Sequence, residues 1–304
     1  MKMKRIIAIS LFSLCAIFGL RAQQQVTYTQ YMFNGMAINP GYIGSHDALS
    51  VTALGRWQWV GLEGAPNTQT IAIHSPVPRK NIGLGLQVTR DEIAVTNMTS
   101  VLAGYSYRLP VGSGILSMGL QAGFQSYNAD FSSVYTINSD PTFQENFSAT
   151  KPNIGAGLFY YNPIFYVGVS APLLINNTIT NGATDVFTQR RHYFLTSGLM
   201  LNLSEHVKLK PNILVRAVDG APLGIDYNVN VLLNNILWLG VSYRPPESIN
   251  FLVEFELTQN FRIGYALDYI IDQTLSDVAT TSHEVMLNYR FRLSKDKVIT
   301  PRYF

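Results

Sequence analysis

The sequence is poor in several things that folded proteins of its length use freely. Its single cysteine, Cys15, lies inside the first hydrophobic run. The chain beyond it therefore has no thiol for disulfides or thiol catalysis. Charged residues make up 13% against a usual ~25%, while apolar residues reach 47%. Yet after residue 22 no stretch approaches the ~20 apolar residues of a membrane helix. A chain with a mean hydropathy of +0.11 and no spanning helix reads as a β-rich secreted protein or as a membrane β-barrel. Basic residues are scarce too. Without Lys2, Lys4, Arg5 and Arg21 of the N-terminal run, 18 Lys and Arg face 19 Asp and Glu. No basic patch speaks for nucleic acid. His46, His74, His192, His206 and His283 stand singly, without metal-ligand spacing. No nucleophile–base–orienter set and no phosphate-cradling glycine loop is present. The residues point to neither an enzyme nor a cofactor.

What is there begins with a compartment signal. Lys2, Lys4 and Arg5 precede an apolar core from Ile6 to Leu20, and Leu20-Arg21-Ala22 offers a cleavage site before Gln23. That is the pattern of a secretory signal peptide over 1–22. Beyond it, period-two alternation dominates. Residues 116–125 alternate strictly, and so do Leu223 to Leu233, Ile249 to Leu257 and Val285 to Leu293. Alternation over roughly ten residues matches a tilted membrane strand; strands of soluble proteins run about half that length. About fourteen such stretches fit between 48 and 293, from 48–59 and 68–77 to 260–271 and 282–293. Connections at 110–113, 162–163, 204–205, 234–235 and 259 are tight, whereas 127–151, 174–191 and 272–281 are long. Short turns on one side and long loops on the other are the periplasm-to-surface asymmetry of outer-membrane barrels. A secreted β-sandwich would also alternate, but the apolar register here carries essentially no charge. It also places rings near strand ends, Trp57 and Trp59 first among them, as an aromatic girdle requires. The expectation is an all-β, transmembrane antiparallel β-barrel of about 14 strands over 48–293, with a periplasmic C-terminal tail at 294–304.

The polar register should face the lumen. It holds Arg56, Lys210, Asp226, Arg244, Glu254, Asp268, Glu284 and Arg290, and the turn at 259 sets Glu256 opposite Arg262 as a lumenal ion pair. Phe251, Val253 and Phe255 should meet hydrocarbon. Gly83, Gly85, Gly119, Gly123, Gly155, Gly157 and Gly168 fall on the same polar register. Interior strand glycines mark either close approach of another backbone or relief of curvature. Residues 23–47 follow no period but are rich in large apolar groups, among them Tyr31, Phe33 and Tyr42, with a turn at Asn39-Pro40-Gly41. Two readings stand. The segment folds back into the periplasmic half of the barrel as a plug, or it is a periplasmic arm that orders on meeting a partner.

Asn39-Pro40-Gly41-Tyr42 through Gly44-Ser45, Arg56-Trp57-Gln58-Trp59, Gly64-Ala65-Pro66 and the ending Pro301-Arg302-Tyr303-Phe304 resemble the PorP/SprF family of the Bacteroidetes type IX secretion system. The resemblance covers essentially the whole chain after the signal peptide. It implies an outer-membrane barrel serving type IX secretion, with secretion components or sorting-domain cargo such as gliding adhesins as partners. It implies no activity and no cofactor. Membrane lipid and lipopolysaccharide would surround such a barrel, and Tyr135, Phe143, Phe147 and Phe187 in the long loops suit contacts to cargo or lipopolysaccharide. The residues themselves leave open a channel or transporter for small or hydrophobic solutes, and a purely structural or adhesive barrel.

Overall fold

The computed structural model describes residues 25–46, 48–131, 146–181 and 184–292. The expected signal peptide, the expected C-terminal tail, Tyr135 and Phe143 lie outside the described residues, as does the side chain of Phe187. The wall begins with β1 (Ala48–Trp57), β2 (Asn67–Pro76), β3 (Ile82–Ile93), β4 (Thr96–Val111), β5 (Gly114–Ala129), β6 (Phe147–Tyr161) and β7 (Phe165–Ala171). A small separate hairpin follows, β8 (Thr178–Asn181) with β9 (Thr184–Thr188). The wall resumes with β10 (His192–Leu199), continued past Met200 by β11 (Leu201–Asn202), and with β12 (Val207–Val218) and β13 (Gly224–Leu233). It ends with β14 (Leu237–Arg244), β15 (Ser248–Glu256), β16 (Phe261–Ile270) and β17 (Thr281–Arg292); one helical turn, α1 (Gln273–Ser276), precedes β17. Each wall strand pairs antiparallel with the next. β10 reaches past the small hairpin to β7 on one side and β12 on the other. β1 closes on β17 from Ala48↔Arg292 to Trp57↔His283. The result is a closed antiparallel barrel of fourteen strands.

Closure follows from the alternation. In β14, Trp238, Gly240, Ser242 and Arg244 point inward, while Leu239, Val241 and Tyr243 are exposed on the outside. The outer face is an apolar band of the kind that only hydrocarbon covers at no cost. The inner face is polar and buried, with Arg56, Arg244, Asp226, Glu254 and Glu284 all 0–2% exposed. At the turn after β13, Asn234 and Asn235 both take positive φ, 52° and 57°. This mirror-image turn suits the right-handed twist of a hairpin, and asparagine is among the residues that tolerate it.

The structure departs from the expected boundaries in five places. β5 and β6 run on through Ala129↔Phe147 into the expected 127–151 loop, so Phe147 lies on a strand. β3 and β4 run on to Ile93 and Thr96, joined by a tight turn, beyond the strands 82–90 and 98–109 that the alternation predicts. Their ends are longer than a membrane crossing needs and carry polar residues on both faces, so the apolar alternation fades before the ladder does. β7 stops at Ala171 rather than 173, just before Pro172, which has no N–H to give a ladder. The connection 174–191 contains the β8–β9 pair. Trp59 is not on β1. The strand ends at Trp57, and the loop folds across the rim, with Trp59 at φ 49° donating its N–H to Ser282 Oγ at 3.0 Å. Trp57 remains on the outer face, 43% exposed.

The register makes a direct prediction. Val241→Lys places an ammonium on the outer face and should lower unfolding stability in lipid vesicles by about 2–4 kcal/mol if it lies near the midplane, whereas Val241→Leu should leave it nearly unchanged. Equal urea midpoints for the two variants would refute the assignment of faces.

Candidate functional site

Residues 28–46 are buried throughout except Gly35, and the groups that bury them are the inward side chains and backbone of the wall. The path is set locally by two short 3-10 turns, Gly35–Ala37 and Pro40–Tyr42. Asn39 organises the second. Its Oδ1 accepts the Gly41 N–H at 2.7 Å, with Pro40 at the first turn position, an N-cap with a preset φ. Its Nδ2 donates to the Leu158 carbonyl at 3.0 Å. One side chain thus closes the turn and pins it to β6.

The strongest anchor is at the long-loop end. Glu284 accepts the N–H of Thr29 on one carboxylate oxygen at 2.9 Å and that of Gln30 on the other at 2.8 Å. Arg56 sits between Glu284 at 3.2 Å and Asp268 at 2.7 Å. Thr29 Oγ1 donates to Asp268 at 2.8 Å and accepts from Arg56 at 2.9 Å. All five residues are buried. Nearby, Tyr28 shares a 2.8 Å hydroxyl bond with Thr70. Arg216 donates to Thr27 at 2.9 Å while it and Arg244 flank Asp226.

Further along, other lumenal groups grip the segment. Lys210 donates to the Met32 carbonyl at 3.3 Å and lies over the rings of Phe33 and Trp238; Phe33 packs edge-on to Trp238. Ser170 donates to the Ile38 carbonyl at 2.6 Å and Ser106 to that of Ile43, also at 2.6 Å. At the short-turn end Arg108 donates to the Gly44 carbonyl at 2.7 Å. The Gly44 N–H donates to His74 Nδ1 at 3.1 Å. His46 Nε2 receives both Tyr42 Oη at 3.0 Å and Arg290 at 3.3 Å.

The segment therefore runs the whole length of the lumen, from the long-loop end near residue 25 to the short-turn end where β1 begins. The expectation of a fold-back confined to the periplasmic half is corrected by these contacts: the first described residues lie at the far end, where Gln25 N donates to His192 at 3.4 Å. Five of the seven register glycines face the segment. A Cβ on Gly119 would overlap the Pro40 backbone, and one on Gly157 the Asn39 amide. Gly83, Gly85 and Gly168 lie against Ile43–Gly44, Met36 and Asn39, respectively. Gly123 and Gly155 instead meet the backbones of Val101 and Pro172.

Of the residues singled out from the sequence, Phe33, Asn39, Pro40 and Tyr42 lie in this core. Tyr31 joins them at a void of about 20 Å³ shared with Phe159 and Tyr166. Arg262 pairs with Glu256 at 2.8 Å across the β15–β16 hairpin and also with Glu254 at 3.3 Å. Sequence reasoning missed the anchoring role of Glu284, Asp268 and Arg56. Their meeting depends on β1 closing against β17, residues more than 200 apart, and no local spacing announces it. Among the described residues, no group of three or more His, Cys, Asp or Glu could hold a metal ion.

The family model for the type IX secretion system membrane protein PorP/SprF matches residues 20–289. The chain belongs to this family. The PorP/SprF match makes it an outer-membrane barrel of type IX secretion, associated with components of that system. No curated protein matches it. Solved structures with a similar barrel include the Ralstonia pickettii toluene transporter TbuX (11% identity, 87% of this chain and 94% of that one, TM-score 0.52). The CymD monoaromatic hydrocarbon channel (10%, 85% and 92%, 0.51) is another. So is a Pseudomonas aeruginosa FadL homologue (10%, 87% and 94%, 0.50). At such identities the likeness is one of fold.

The anchor can be broken at one residue. Glu284→Ala leaves the Thr29 and Gln30 N–H groups without their acceptor and takes from Arg56 one of its two carboxylate partners, and should cost about 3–5 kcal/mol. Glu284→Gln keeps one acceptor and should cost less. A shift in urea midpoint in that order checks the anchor; two unshifted midpoints would contradict it.

Proposed function

We propose that this PorP/SprF barrel serves type IX secretion as a closed scaffold, supporting the export or surface anchoring of cargo such as adhesins without passing it through its own lumen. The observation that carries this reading is the N-terminal segment, held along the lumen from Thr29 at Glu284 to His46 at Arg290. A lumen so occupied leaves the outer wall and the loops for partners. The long-loop end faces the cell surface in this reading, where the connections from β5 to β6 and from β7 to β10 meet cargo and lipopolysaccharide. Exposed aromatics anchor such contacts well. The fold likeness to hydrocarbon channels gives no equal support to a transporter, because the likeness reaches the barrel alone.

Deleting the gene should remove at least one protein with a type IX sorting domain from the cell surface, and the tagged barrel should co-purify with that cargo or with a secretion component. An unchanged surface proteome would count against the secretion reading. Epitope tags at 181 and 221 should be reached by antibody on intact cells and one at 235 should not; the reverse pattern would invert the orientation.

A further inference from the structure

The lipid-facing wall has a notch. Tyr105, Leu120, Ala156 and Ala171 are successive cross-strand partners through β4, β5, β6 and β7. Along this row the side chain shrinks from a ring to a single methyl. The adjacent row, Tyr107, Met118, Leu158 and Val169, keeps its bulk. The β6–β7 ladder ends at Ala156↔Ala171, and Pro172 turns the chain away. What remains is an outward-opening groove of about 540 Å³, floored by the two alanines, with Tyr193 of β10 also on its lining. On the inner side of the same wall, Gly119 and Gly157 are cross-strand partners with no side chain, and both bear on Asn39–Gly41. The tight inner fit and the outer notch thus have one origin, small residues on both faces of the same strands.

We propose that this groove is a binding site for one hydrocarbon chain of an outer-membrane lipid. In the membrane the only medium that meets this face is lipid, and a groove left unfilled forfeits the dispersion contacts of its whole lining. The lining is almost wholly apolar, so a headgroup or a polar peptide gains nothing there. A flexible chain can follow a furrow four strands wide that a flat partner surface could not enter. Tyr105 and Tyr193 also line the groove, and Arg191 donates to the Tyr193 hydroxyl at 3.1 Å; tyrosine favours sites with one end apolar and the other polar, which suits the linkage from which a chain hangs.

The test uses the full barrel purified in mild detergent and incubated with dioleoyl phosphatidylethanolamine. Native mass spectrometry of the wild type should show one retained lipid that survives collisional activation. Ala156→Phe, which fills the groove from the lipid side, should lose that peak, and Val241→Phe on the opposite wall should keep it. Independently of any variant, a phospholipid with a diazirine-bearing chain should cross-link the wild type at Leu158 and Val169 severalfold more than at Val229 and Val241. No retained lipid in the wild type, equal retention in Ala156→Phe, or cross-links spread evenly over both walls would each overturn the site.

Discussion

Everything inside this barrel is arranged around one electrostatic constraint: buried charge needs partners, and the wall alone does not supply them all. Asp268 and Glu284 bring two carboxylates close together and Arg56 lies between them. Glu284 then completes its shell with the N–H groups of Thr29 and Gln30, and Arg108 with the carbonyl of Gly44. A charge stripped of water inside a protein costs several kcal/mol unless hydrogen bonds replace that water. The N-terminal segment is the replacement. In return the wall buries its Tyr28, Tyr31, Phe33, Met36 and Ile43, side chains worth about 1.5–3 kcal/mol each if moved out of water. Segment and wall are each the other's missing solvent.

The glycines make that exchange sterically feasible. An inward Cβ at Gly119 or Gly157 would occupy the space of the Pro40 and Asn39 groups, and the segment could not lie flat on β5 and β6. The pattern also explains why the lumen divides unevenly. Strands β3 to β7 offer backbone at close range, while β12 to β17 offer Lys210, Asp226, Glu254, Arg262 and Glu284. The segment lies between a smooth wall and a charged one.

Much of this was legible in the chain itself. Alternation such as Leu239-Gly240-Val241-Ser242-Tyr243 dictates which face meets lipid, because a strand has only two faces, and the fourteen-strand barrel and its PorP/SprF membership follow the expectation. The Glu256–Arg262 pairing is a hairpin contact, and local register reaches it. What the chain did not disclose was anything that depends on closure. Thr29 and Glu284 meet only because the last strand returns to the first, and Gln25 lies by His192 only because the segment spans the full lumen. Trp59 leaves the strand for a related reason: the apolar pattern runs on past Trp57, but the chain turns off β1 there and the Trp59 N–H donates to Ser282 of β17.

We propose that the segment closes the lumen, and ion conductance reads this directly. In planar bilayers the wild-type barrel should stay essentially silent. Deletion of residues 25–40 behind an intact N-terminal run should give a large, steady conductance, with heat-modifiable gel mobility showing the barrel still assembled. A wild type that conducts as an open fourteen-strand pore, or an assembled deletion variant that stays silent, would contradict the account.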